Sequence, residues 1–195
     1  MFQYLVFVGA AATLFGALAY IKGTLAGRTK PNRITWLMWA VAPLIAFAAG
    51  LSDGVGWAIL PVFTAGFFPL IIFLVSFVNP NAYWKLQIFD YICGLFSILA
   101  LVLWAITKNP NIAIVFAIVS DAFAGMPTLI KAWQRPETES GLIYLTSAFS
   151  ALTGLIAVKN WMFSEYAFNI YLFLIGVLLT GAVYHKRIIR KTYGG

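Results

Sequence analysis

Residues 111–141 read NIAIVFAIVSDAFAGMPTLIKAWQRPETESG. The first part of this segment is an apolar run that is interrupted by one acidic residue, Asp121, and ends at Lys131. A polar loop follows from Arg135 to Gly141, and it is the most polar stretch of the chain. An α-helix needs about 20 apolar residues to cross a bilayer, which is the length of this run. The segment therefore predicts a membrane-spanning helix that ends in a charged loop.

The rest of the chain continues this pattern. Of the 195 residues, 62% are hydrophobic and 10% are charged, whereas a soluble domain has roughly 25% charged residues. The predicted spans are 4–22, 34–51, 56–78, 87–107, 111–131, 141–158 and 166–184. Seven spans use about 140 residues, which leaves no room for a separate soluble catalytic, ligand-binding or nucleic-acid-binding domain. We expect an all-α integral membrane protein that does not bind nucleic acid.

Turn-forming residues separate the spans. Asn79-Pro80-Asn81 and Asn109-Pro110-Asn111 are two such tripeptides, because proline disfavours helical backbone in the residue before it. An outer-membrane barrel is not expected, because its strands have about 10 residues and alternate polar with apolar side chains. The apolar runs of this chain are longer and do not alternate.

Basic residues divide unequally between the two sides of this topology. Eleven fall on one side and two, Lys108 and Lys159, on the other. The eleven are Lys22, Arg28, Lys30, Arg33, Lys85, Lys131, Arg135, Lys186, Arg187, Arg190 and Lys191. Because basic residues concentrate in cytoplasmic loops, we expect the N-terminus outside and residues 185–195 to form a basic cytoplasmic tail, in a plasma or inner membrane.

Two parts of the chain match at a constant offset of 109 residues. The matching pairs are Gly16 with Gly125, Ile21-Lys22 with Ile130-Lys131, Thr29 with Thr138, and Ile34 with Ile143. No gap is needed, and the charged loops coincide. The match predicts two three-helix repeats, 4–78 and 111–184, joined by a linker helix, 87–107. Because a single helix joins the two repeats, both repeats have the same orientation across the membrane. Parallel repeats of this kind are a pattern found in transporters.

One segment also resembles a known motif. Residues 125–133 read GMPTLIKAW, and Pro136, Glu139-Ser140 and Gly141 follow. This arrangement resembles the PQ-loop motif, with Thr128 in the place of the glutamine. The three-one-three plan and the chain length are similar to those of the SWEET sugar transporters and their PQ-loop relatives. The resemblance implies seven helices around a central solute path.

Asp121 is the sharpest candidate for a functional residue. It is predicted to lie near the middle of its span, where a charged side chain costs about 2.5–3.5 kcal/mol and usually faces a cavity or a partner. The functional interpretation is a proton-accepting or solute-binding carboxylate. The structural alternative is a buried aspartate that hydrogen-bonds to a neighbouring helix.

Four further residues belong to the candidate site. The resemblance to SWEET-like proteins, in which Asn and Trp side chains contact the solute, implies a similar role for Asn169, with Tyr171 or Trp39 as a stacking surface. Asn169 could equally join two helices by a hydrogen bond. Pro127 removes one helical hydrogen bond, so it predicts either a hinge for alternating access or a static kink.

Other polar and aromatic residues have simpler interpretations. Asp90 is predicted to complement a helix dipole or to pair with Lys85. Glu137 and Glu139 are expected to be solvated. Small residues at helical spacing in one span favour tight helix packing, with a polar cavity wall as the alternative: Ser147, Ser150, Thr153 and Gly154. Six tryptophans at predicted span ends suggest interfacial anchors: Trp36, Trp57, Trp84, Trp104, Trp133 and Trp161.

These observations favour a transporter that moves a small polar solute by alternating access, with Asp121 as a point of proton coupling. The alternatives are a non-transporting seven-helix ligand receptor and a membrane scaffold on the same architecture. Retinal chemistry is not expected, because span 166–184 has no lysine for a Schiff base. No catalytic set, metal site or cofactor is predicted. The expected partners are the solute and the lipid bilayer, and the sequence leaves a homo-oligomer open.

Overall fold

The structure, a computed structural model, describes residues 2–107 and 109–193. Within these residues the chain forms seven α-helices and four short 3-10 turns, and no strand occurs there. The helices are α1 (Leu5–Leu25), α2 (Arg33–Ser52), α3 (Leu60–Val75), α4 (Ile88–Thr107), α5 (Pro110–Gln134), α6 (Gly141–Ala157) and α7 (Phe163–Tyr193). Each predicted span corresponds to one of these helices. Lys108, one of the two basic residues assigned to the weakly charged side, lies outside the described residues.

The turn tripeptides lie where one helix gives way to the next, as predicted, and asparagine side chains cap the helices α2 and α5. The Asn109 side-chain oxygen accepts the backbone N–H groups of Asn111 and Ile112 at the start of α5, at 3.0 and 3.3 Å. Asn32 caps α2 in the same way, at 3.1 and 3.3 Å. These bonds satisfy N–H groups that have no partner within the helix.

The last helix is longer than predicted. The predicted span stops at residue 184 and is followed by a basic tail, whereas α7 continues to Tyr193. The residues from His185 to Tyr193 contain neither glycine nor proline, so no residue in this segment stops the helix. Basic side chains near a helix C-terminus also interact favourably with the helix dipole.

Five segments are long and apolar enough to cross a membrane: α1, α2, α5, α7 and α3 together with the 3-10 turn before it. Shorter apolar segments lie in α4 and α6. Large apolar side chains are exposed on all seven helices, which is more apolar surface than a soluble protein presents. The chain is therefore a multi-pass helical membrane protein.

The helices pack in two similar groups. In the first group, α1 and α2 both contact α3, and in the second group α5 and α6 both contact α7. The two groups meet through α1 against α6 and α2 against α5, while α4 lies against α5 and α2.

Two glycines allow these groups to approach closely. A Cβ atom added to Gly16 in α1 would lie 3.0 Å from the Cα atom of Ile143 in α6. A Cβ atom added to Gly125 in α5 would lie 3.1 Å from the Trp39 ring in α2. The two glycines that match at the offset of 109 residues therefore both lie where the groups meet.

Three loops, which carry Arg28, Lys30, Lys85 and Arg135, gather at one end of the bundle, which we call the basic end. The Lys30 N–H donates to the Thr138 carbonyl at 3.0 Å and so joins the α1–α2 loop to the α5–α6 loop. The Asn79 amide donates to the Leu25 carbonyl at 2.7 Å and brings the α3–α4 loop to the same end. These contacts fix the helix ends around the candidate site.

Candidate functional site

A small cavity lies between the two groups of helices. Its lining residues come from six helices, α1, α2, α3, α5, α6 and α7. The polar and aromatic ones are Thr13, Trp36, Trp39, Thr64, Phe68, Asp121, Tyr144 and Ser147. The cavity volume is ≈ 60 Å³, which is room for about four water molecules. Both groups of helices therefore contribute to one shared space with a mostly apolar lining.

Asp121 brings a carboxylate to this cavity. Its side chain is only 1% exposed. The Tyr171 hydroxyl donates to Oδ2 at 2.7 Å, while Oδ1 is buried and accepts no hydrogen bond from the residues that the structure describes. The Trp39 indole N–H donates to the backbone carbonyl of Asp121 at 3.2 Å. Three of the predicted site residues therefore lie together, and Tyr171 orients the carboxylate by a hydrogen bond.

Asn169 lies elsewhere. Its amide donates to the carbonyl oxygens of Ala58 at 3.0 Å and Glu165 at 3.1 Å, and so links α7 to the segment before α3. Its side-chain oxygen packs against Gly154 of α6. It is not among the residues that line the cavity. The structure thus gives Asn169 the hydrogen bonds of a residue that joins helices.

Pro127 lies inside α5, and the helix is continuous from Pro110 to Gln134. Side chains of α2 bind the α5 carbonyls just before this proline: Thr35 donates to Ala124 at 2.7 Å, and Trp39 donates to Asp121. Cross-helix donors of this kind compensate for the altered hydrogen bonding near a proline. Movement at Pro127 would change the position of Asp121 relative to α2, and its use as a hinge stays a prediction.

Trp36 was expected at a membrane interface, and that prediction is wrong. Its side chain is 1% exposed and lines the cavity. Its ring packs on Tyr20 and on Trp39, with centroid distances of 4.7 and 5.5 Å. The spacing of three residues between Trp36 and Trp39 puts both on one helix face, and this spacing was the available signal. Of the other tryptophans at predicted span ends, Trp57, Trp133 and Trp161 are exposed and Trp84 is half-buried, while the Trp104 side chain lies outside what the structure describes.

Glu139 is also buried, which corrects the expectation that it is solvated. It pairs with the Lys131 ammonium at 2.5 Å, and the two side chains are 0% and 1% exposed. The hydroxyls of Tyr20 and Tyr144 donate to its other oxygen at 3.0 and 2.7 Å. Lys131 also donates to the backbone carbonyl of Lys30. We call Tyr20, Lys131, Glu139 and Tyr144 the basic-end cluster.

The basic-end cluster and the cavity share one residue, Tyr144, and are joined by further aromatic contacts. The Tyr144 ring lines the cavity, while its hydroxyl binds Glu139. Tyr20 contacts Trp36, and Trp39 contacts Tyr144 at a centroid distance of 6.2 Å. Aromatic rings from α1, α2 and α6 therefore separate the Asp121 cavity from the ion pair.

The small residues of α6 divide between two roles. Ser147 lines the cavity. Ser150 and Thr153 instead face Gly9 of α1, where an added Cβ would lie 2.9 Å from the Ser150 Cα atom. Ser147 therefore forms part of the cavity wall, whereas Ser150 and Thr153 take part in tight helix packing.

The remaining acidic residues have ordinary partners or surroundings. Asp90 accepts the Gln87 N–H at 2.6 Å at the start of α4, as a helix cap does. Glu165 accepts the N–H of Lys159 at 2.9 Å at the start of α7. Asp53 and Glu137 are exposed. Asp121 therefore differs from all of these, because it is buried and neither caps a helix nor pairs with a cation.

Metal binding would require several ligating side chains in one place. Among residues 2–107 and 109–193, no group of three or more His, Cys, Asp or Glu side chains is close enough to hold a metal ion. Comparison of the chain with protein-family models, curated protein sequences and solved structures finds no match. The roles of Asp121 and its neighbours therefore have to follow from charge, hydrogen bonding and packing.

Proposed function

We propose that this protein is a membrane transporter that moves a small polar solute by alternating access between two three-helix units, residues 4–78 and 111–184. The observation that carries the proposal is the Asp121 carboxylate. It is buried, one of its oxygens has no hydrogen-bond partner within the described part of the chain, and Asp121 lines a cavity walled by both units. Ionisable groups at such depth generally mark solute or proton paths.

The packing of the helices supports the repeat. The third helix of each unit contacts the first and the second, so α3 and α7 have equivalent neighbours. The units then meet through equivalent pairs, first helix against second helix in both directions. Transporters built from parallel repeats bind their solutes at such an interface. In this arrangement α4 is the linker.

Lengths support seven crossings. The 20 residues of α4 span about 30 Å, which is the thickness of the hydrocarbon core. The 17 residues of α6 span about 25 Å, and α6 packs between the longer helices α1 and α7. With seven crossings and the unequal distribution of basic residues, the basic end faces the cytoplasm.

The basic-end cluster supports alternating access. Tyr20 belongs to the first unit, whereas Lys131, Glu139 and Tyr144 belong to the second. The cluster therefore joins the units on one side of the cavity. Separation of Tyr20 from Glu139 would open that side, while closure on the opposite side would complete the cycle.

Uptake into proteoliposomes tests the proposal. Purified wild-type protein is compared with Asp121→Asn, and with Asp53→Asn as the control, because Asp53 is acidic but exposed. The probes are radiolabelled glucose, alanine and choline. We expect at least one probe to accumulate faster than in protein-free liposomes, with little effect of Asp53→Asn and about a tenfold or larger loss in Asp121→Asn.

A pH gradient tests the role of Asp121 in proton coupling. If Asp121 exchanges protons during transport, an imposed gradient changes the uptake rate of the wild type but not that of Asp121→Asn. A probe that binds to the protein without any uptake would refute transport and favour the ligand receptor. Uptake that is unchanged in Asp121→Asn would remove Asp121 from the mechanism.

A further inference from the structure

The charge of the cavity is unbalanced. Among the described residues that line it, Asp121 is the only charged one, and no lysine, arginine or histidine belongs to that set. Lys131 lies ten residues further along α5, about 15 Å along the helix axis, and it is paired with Glu139. Tyr171 contributes a neutral hydroxyl group. A buried carboxylate of this kind favours a proton or a cationic ligand.

The cavity also offers more acceptors than donors. The hydroxyl groups of Thr13 and Thr64 donate to backbone carbonyls of their own helices, at 3.0 and 2.9 Å. Their lone pairs remain as acceptors. The indole N–H of Trp39 and the hydroxyl of Tyr144 are engaged elsewhere. The Ser147 hydroxyl can both donate and accept. A ligand that is rich in donors or carries a positive charge therefore fits this lining best.

Aromatic rings provide most of the remaining polarisable surface. Trp36, Trp39, Phe68 and Tyr144 all line the cavity. The faces of such rings attract organic cations, most strongly when water is excluded. An inorganic cation such as Ca²⁺ needs six to eight oxygen ligands, which one carboxylate and these rings do not supply.

We infer that the cavity binds a small organic ammonium ion, with Asp121 as its counter-charge and the tryptophan rings against its alkyl groups, a conclusion that rests on the transport role proposed above. A zwitterion fits less well, because its own carboxylate would meet Asp121 and find no basic partner. A neutral polyol fits less well, because its hydroxyl oxygens would find few donors. The volume of ≈ 60 Å³ is too small for a trimethylammonium group, so the ion would enter when the two units separate and widen the cavity in the proposed transport cycle.

Equilibrium binding of radiolabelled choline to the purified protein tests this inference. Unlabelled tetramethylammonium, 3,3-dimethyl-1-butanol and glycine betaine are the competitors. The alcohol has the shape of choline without its charge, and betaine adds a carboxylate. We expect tetramethylammonium to displace choline, and the other two to compete about 100-fold less well. The alcohol has no positive charge, and the carboxylate of betaine would lie near Asp121 without a basic partner.

Variants provide a second measurement. Asp121→Asn is expected to weaken choline binding by about 100-fold, while Asp53→Asn leaves it unchanged. The competitor series uses only the wild type, so misfolding of a variant cannot hide the result. Equal displacement by 3,3-dimethyl-1-butanol, or absence of choline binding, would overturn the inference.

Failure of this inference and failure of the transport proposal give different results. Uptake of glucose or alanine that depends on Asp121, without choline binding, would overturn the ammonium specificity and leave transport standing. Choline binding that depends on Asp121, without uptake of any probe, would support the specificity of the cavity and refute transport.

Discussion

Replacement of Glu139 by glutamine should destabilise the protein strongly, although Glu139 belongs to a loop segment. The side chains of Glu139 and Lys131 are 0% and 1% exposed, so the substitution leaves a buried ammonium group without its carboxylate. Breaking a buried ion pair from one side costs about 3–5 kcal/mol, whereas an exposed pair is worth about 0–1 kcal/mol. The glutamine oxygen can still accept one tyrosine hydroxyl, so we expect the lower value, about 3 kcal/mol.

Unfolding by SDS in dodecylmaltoside micelles, followed by circular dichroism, measures this free energy. Glu137→Gln is the matched control, because Glu137 is an exposed glutamate of the same loop and should hardly change the unfolding curve. A double-mutant cycle with Lys131→Met isolates the pair. The combined variant should cost about 2 kcal/mol less than the sum of the single variants.

Two outcomes contradict the reasoning. Equal, small effects of Glu139→Gln and Glu137→Gln would mean that water reaches the ion pair. Full additivity of Glu139→Gln and Lys131→Met would mean that the two side chains do not interact, even though they lie 2.5 Å apart.

Three further results are expected from the same preparations. Gly16→Ala should lower the free energy of unfolding by about 1–3 kcal/mol, because the added Cβ meets the α6 backbone at 3.0 Å. Gly181→Ala is the control, since its added Cβ has no described atom within 4 Å, and it should leave the free energy of unfolding unchanged or raise it by up to about 1 kcal/mol. Asn169→Ala should lower stability by about 1–3 kcal/mol through its lost hydrogen bonds without changing choline affinity; a large loss of affinity would restore Asn169 as a solute contact. Choline binding should weaken as the pH is lowered, because protons and the ammonium ion compete for the Asp121 carboxylate, whose contacting titratable group is Tyr171; the same profile in Asp121→Asn would exclude this competition.

Local patterns in the sequence predicted the helices well. An apolar run of about 20 residues has a strong preference for a helix in a bilayer, and the asparagine caps act on residues two or three positions away. Asp121 could also be selected from the sequence, because it is a charged residue near the middle of an apolar span. Its position in the span can be read without knowing which helix lies beside it.

The contacts that define the site could not be predicted in this way. Glu139 has Lys131 and Tyr144 nearby in sequence, but its burial also depends on Tyr20, 119 residues away. Trp36 looked like an interfacial residue because it lies close to a predicted span end. Its burial comes from Tyr20 of α1 and from an apolar cluster to which several other helices contribute. Both errors concern which helices become neighbours, and the residue pattern of a single span does not contain that information.

The cavity and the basic-end cluster depend on each other through shared aromatic residues. The Tyr144 ring borders the space beside Asp121, and its hydroxyl holds Glu139. Trp36 also borders that space and packs against Tyr20, which donates to the same carboxylate. A ligand shifts a conformational equilibrium only by the difference in its affinity for the two states. A solute in this cavity contacts the rings whose hydroxyl groups or neighbours close the basic end, so its affinity depends on whether that end is closed. Under the transport proposal, these rings are the contacts through which occupancy of the cavity would control opening of the basic end.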